Sequence, residues 1–177
     1  MYEIYSLVDH GQLAFVALGL LLSWKSASAR WFIISYAVVI IFNLASYPIS
    51  SQWNTHYYLF QAGVNVVFML PIVYRRNLAL YIYEKTNIDF YKQVHDKQIL
   101  SSQECMIALV FILAILVNLV TWCEVMAYKY SYISNAYFKL HFRDNIVLCV
   151  QLVLCTCLLS YARKAESREL GTEEANS

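Results

Sequence analysis

Charge is what this sequence has least of. Only 14% of its 177 residues are Asp, Glu, Lys or Arg, against about 25% in an ordinary soluble domain. With 60% hydrophobic residues and a mean hydropathy of +0.49, there is too little polar surface to coat a water-soluble globule. The net charge of +1 leaves no case for a nucleic-acid partner. Glycine numbers four, and Gly19 with Ser23 is the one good small-xxx-small pair, so close glycine-lined crossings do not dominate the packing. Catalytic signatures are missing as well: no GxSxG, no HExxH, no glycine-rich phosphate loop, no Walker sequence. The chain therefore reads as non-enzymatic and without a cofactor. Its five cysteines (105, 123, 149, 155, 157) form no CxxC pair and read as small buried hydrophobes rather than zinc ligands. Cys123 and Cys149 share one expected depth, which a disulfide between them would require.

Long apolar runs are what the sequence does have. The segment from Met106 to Trp122, MIALVFILAILVNLVTW, holds one amide and no charge. Extended to Cys105 and Cys123, at about 1.5 Å per residue, it crosses ~30 Å of hydrocarbon. The expected fold is an all-α integral membrane bundle, one domain over 1–162, with spans near 5–24, 31–50, 57–74, 105–126 and 144–161. No Lys or Arg precedes the first span, so despite the cleavage-like Ala27-Ser28-Ala29 it reads as a retained span rather than a signal peptide. Residues 163–177 form a polar, disordered tail. Aromatic residues at span ends, among them Trp24, Trp53, Tyr74, Trp122 and Tyr130, suggest interfacial belts.

Basic residues orient the bundle. With the N-terminus outside, ten fall inside (Lys25, Arg30, Arg75, Arg76, Lys85, Lys92, Lys97, Arg163, Lys164, Arg168) and three outside (Lys129, Lys139, Arg143), the expected positive-inside bias. The 75–104 loop carries Arg75, Arg76, Lys85, Lys92 and Lys97. Within it, Thr86 and Asp89 have capping-box spacing, followed by Ile88, Tyr91 and Val94 on one face. That reads either as a short interfacial helix with Lys85, Lys92 and Lys97 towards the headgroups, or as a solvated connector. Ser101 and Glu104 repeat the capping spacing just before the fourth span.

Each span also carries a polar or small stripe. Gln12, Asn43, Asn65, Asn118 and Gln151 fall in one layer about 8–12 Å below the outer surface. Carboxamides donate and accept, so the layer is either glue between helices or the lining of a vestibule or pore. Asp9, His10, His56, Glu124, His141 and Asp144 gather at the outer side, and a metal or proton site there would use His10, His56 and Glu124. Glu124, still within its span, is the acid expected to face the bundle.

Two functions follow as expectations. The first is a small membrane protein acting by assembly, a pore-forming or sensing and partner-recruiting subunit of the kind used in bacterial defence, phage exclusion or lysis. Its partners would be the lipid bilayer of a bacterial inner membrane, further copies of itself, and a cytosolic protein met through loop 75–104 and the tail. The second is a small transporter or metal- and proton-handling protein using the outer histidines and carboxylates.

Overall fold

The computed structural model describes residues 2–96 and 101–165, with side chains from Gly11 onward, and its regular structure is helical among the described residues. The helices are α1 (Tyr2–Leu22), α2 (Ala27–Ser50), α3 (Tyr57–Val73), α4 (Arg75–Thr86), α5 (Asp89–Asp96), α6 (Ser102–Lys129) and α7 (Asp144–Arg163). A π-helical turn, Phe138–Arg143, runs directly into α7. Three helices are long and apolar enough to cross a membrane: Ala27–Ser50, Ser102–Lys129 and the joined Phe138–Arg163. The pair α3–α4, bent by 73°, raises this to four when taken as one broken span, and the apolar part of α1, Gly11–Leu22, is shorter.

The five long helices close a ring: α3 packs on α6, α6 on α7, α7 on α1, α1 on α2 and α2 on α3. Leu21, Ile41, Phe42, Val67, Leu109 and Leu152 point outward and are exposed. In water such a girdle would be an aggregation surface; against acyl chains it is matched, so the architecture is that of a membrane bundle. Inside, the spacing of large residues selects the core. Phe32, Ile33 and Tyr36 from α2, Phe68 and Ile72 from α3, Ile107 and Phe111 from α6, and Leu154, Leu158 and Tyr161 from α7 form one cluster. Its aromatic rings interlock, with Phe68 and Phe111 centroids 4.3 Å apart and Phe32 and Tyr161 5.0 Å apart. The axis of one chain is thus filled by side chains. Where α1 meets this core, Gly19 lets it approach: a Cβ there would lie 3.4 Å from the Ile33 Cδ1.

Local chemistry sets the helix ends. Ser26 caps α2 by accepting from the Ala29 N–H at 3.3 Å. Ser101 and Glu104 form the expected capping box on α6. The other expected box is not formed. Thr86 instead closes α4, its hydroxyl donating back to the Ile82 carbonyl at 2.8 Å, and Asn87 in the left-handed region (φ 51°) ends that helix. The basic loop is accordingly two helices rather than one in a connector. The apolar face of α5 is turned onto the protein: Val94 is fully buried with Ala27, Trp31 and Ala79, and Tyr91 meets the Trp31 ring edge-on at 5.9 Å. Residues 97–100 and 166–177, which include Lys97, Arg168 and most of the expected tail, lie outside the described residues.

Candidate functional site

Where α3 ends, Tyr74 leaves helical geometry and the chain turns into α4. The first residue past the turn, Arg75, is driven inward and is only 2% exposed. A buried guanidinium needs a counter-charge, and Glu104, also 2% exposed, supplies it: Arg75 Nη1 donates to Glu104 Oε1. The same oxygen accepts the Tyr161 hydroxyl at 2.6 Å. The other, Oε2, accepts the Ser101 backbone N–H at 3.0 Å, while the Ser101 hydroxyl takes the Glu104 N–H at 3.2 Å. One carboxylate therefore ties together the α3–α4 bend, the start of α6 and the end of α7. The aromatic core sets this geometry, because Phe32 packs on the Tyr161 ring and aims its hydroxyl.

The site is saturated on the acid and half-satisfied on the base. Arg75 Nε and Nη2 are buried and make no hydrogen bond. Those two donors form a fork of the kind that grips carboxylate or phosphate oxygens in parallel. Native buried polar atoms are nearly always paired, so an unsatisfied pair calls for an explanation.

The opposite end is built differently. Glu124 is taken up structurally: its two oxygens accept the backbone N–H groups of Phe138 and Lys139 at 2.7 and 2.8 Å, capping the π-helical turn. Arg143 and Lys139 lie over the Tyr58 ring, 4.8 and 5.7 Å from its centroid, and Arg143 also pairs with Asp144 at 2.8 Å. His56 is exposed. The side chains of Asp9 and His10 lie outside the described set, and no group of three metal-ligating side chains occurs among the described residues. Cys123 and Cys149 are free thiols on exposed positions.

Of the five layer amides, Asn43 accepts from Gln61 Nε2 at 2.9 Å, bridging α2 and α3. Asn118 donates to the Ala114 carbonyl of its own helix at 2.9 Å, leaving its buried oxygen unpartnered. Gln12, Asn65 and Gln151 are half-buried. Of the basic-loop residues, Arg76 meets His95 Nε2 at 3.3 Å, Lys85 stands over the Tyr81 ring at 4.4 Å, Lys92 is exposed, and Arg75 is the buried one just described.

Reading the sequence span by span misses the Arg75–Glu104–Tyr161 cluster. A signal was present, since all three residues fall at the same end of their spans, an Arg and a Tyr at two exits and a Glu at an entry. No protein family model, curated protein or solved structure matches the chain.

Proposed function

We propose that the chain is a non-enzymatic membrane protein of five spans, N-terminus outside and C-terminus inside, acting as a sensing and partner-recruiting subunit. The bundle is its sensing part, and the cytoplasmic α4–α5 hairpin presents the result to a protein partner. The observation that carries this reading is the buried Arg75–Glu104 pair with two Arg75 donors unsatisfied. A buried ion pair is weak evidence for stability, and an ionisable group inside a membrane bundle marks function by default. An unsatisfied pair at a 73° bend is a joint with an alternative arrangement within reach. A shift of α6 or α7 displaces Glu104 or Tyr161, and the first residue of the hairpin responds.

The recruiting reading is preferred to a pore lined by one chain because the aromatic core fills the bundle axis. A conducting path would have to run between copies. It is preferred to metal handling because Glu124 is already engaged by two backbone N–H groups.

The test is photo-crosslinking in cells from exposed hairpin positions, with a crosslinking amino acid at Leu80 or Lys92, in the wild type and in Glu104→Gln. The proposal expects a discrete protein adduct whose yield changes at least several-fold in the variant at equal membrane expression. Absence of any adduct from either position, or identical yields, would overturn it.

A further inference from the structure

The hairpin has one face against the bundle and one that faces away. Ala79 and Val94 are buried against Ala27 and Trp31, with Leu78, Ile82, Phe90 and Tyr91 around them. Turned away are Leu80, Tyr81 and Ile88, together with Tyr74 at the bend, all exposed. Because α4 leaves α3 at 73°, a membrane-crossing α3 lays α4 close to the bilayer plane at the depth where its span ends. Apolar and tyrosine side chains projecting there meet the boundary between headgroups and acyl chains, where amphipathic rings are favoured.

The charge at this end is one-sided. Among the described residues with side chains outside the core, Lys25, Arg30, Arg76, Lys85, Lys92, Arg163 and Lys164 face Glu84, Asp89 and Asp96, seven cations to three carboxylates. The one buried acid, Glu104, is already taken by Arg75. Lys85 shows how such a residue adapts: its ammonium lies over the Tyr81 ring at 4.4 Å, an arrangement that keeps the stem on apolar surface and the charge at its edge. Arg30 is held likewise, its guanidinium 5.0 Å from the Phe90 ring centroid and 5.7 Å from that of Trp24.

From these observations we infer that the outward face of the α4–α5 hairpin is a seat for anionic phospholipid headgroups. The hairpin is then held to the inner leaflet by surface charge, and lipid composition is one input to the sensing role. The inference rests on the membrane topology proposed above, but not on the Arg75–Glu104 joint.

Hydrogen–deuterium exchange of the full chain in nanodiscs tests it, comparing phosphatidylcholine alone with discs in which a third of the lipid is phosphatidylglycerol. With each basic residue contributing on the order of 1 kcal/mol near an anionic surface, exchange over 76–92 slows about tenfold or more in the anionic discs. The triple variant Arg76→Gln/Lys85→Gln/Lys92→Gln loses that difference, while exchange over 107–120 stays unchanged as a control on folding. Equal exchange in the two lipids overturns the inference. So does protection produced in phosphatidylcholine discs by inorganic phosphate alone, which would mean a free-anion site, or only by an added cytosolic protein. Lipid-dependent protection that persists in Glu104→Gln would leave the headgroup seat standing even if the joint itself failed.

Discussion

Glu104 and Glu124 lie near opposite ends of one helix, α6, and meet different circumstances. At the Tyr58 end, Glu124 caps a turn through two backbone N–H groups, and the nearby cations rest on an aromatic ring. Its donors are fixed in the chain next to it in sequence, so the arrangement is local. At the Arg75 end, Glu104 draws its partners from three separate elements, one of them a guanidinium with unused donors. That arrangement is long-range, and its energy depends on how the helices stand relative to one another. Residue type and apparent depth do not distinguish the two acids; the origin of their partners does. A carboxylate bound by its neighbours in sequence is part of an element, while one bound by distant elements is a joint between them.

The difference can be broken from the Glu104 side first. Glu104→Ala strands Arg75 without a counter-charge, and breaking a buried pair in this way costs about 3–5 kcal/mol. Unfolding of the purified protein in detergent should show that loss, and adding Arg75→Leu should recover part of it. Tyr161→Phe keeps the ring against Phe32 but removes one hydrogen bond to a charged acceptor, worth about 1.5–3 kcal/mol; the same unfolding measurement reads it. At the other end, Glu124→Gln retains one acceptor oxygen for the two backbone donors, and a loss of about 1 kcal/mol is expected, with no change in hairpin exchange. Smallest is Asn43→Leu. Removing the one bond from Gln61 costs about 0.6 kcal/mol, the average for a polar contact between membrane helices.

Much of the fold was legible because the bilayer imposes simple rules. Apolar run length marked the helices at 27–50, 102–129 and 138–163, and the capping spacing of Ser101 and Glu104 located the start of α6. The polar stripes mostly turned inward too, with Ser23, Ser50, Asn118, Thr121 and Cys155 all buried. The hairpin was less legible. Arg75 to Thr86 has two basic residues in its first turn and little amphipathic period, so propensity alone did not separate helix from connector. The face of Ile88, Tyr91 and Val94 was recognised, but amphipathicity does not say whether its apolar side meets lipid or protein, and here Tyr91 and Val94 meet protein. Glu104 was assigned the capping duty it does perform, and that local explanation concealed its second role. Partners 29 and 57 residues away leave no periodic trace in a sequence.

The most direct test of the central claim is hydrogen–deuterium exchange of the full chain in nanodiscs, comparing wild type with Glu104→Gln. If the Arg75–Glu104 pair is the joint that holds the hairpin to the bundle, exchange over 76–96 rises about tenfold or more, the factor for about 1.4 kcal/mol of lost coupling, while 107–120 is unchanged. Unaltered exchange over 76–96 would contradict the account, and the pair would then be a static pin.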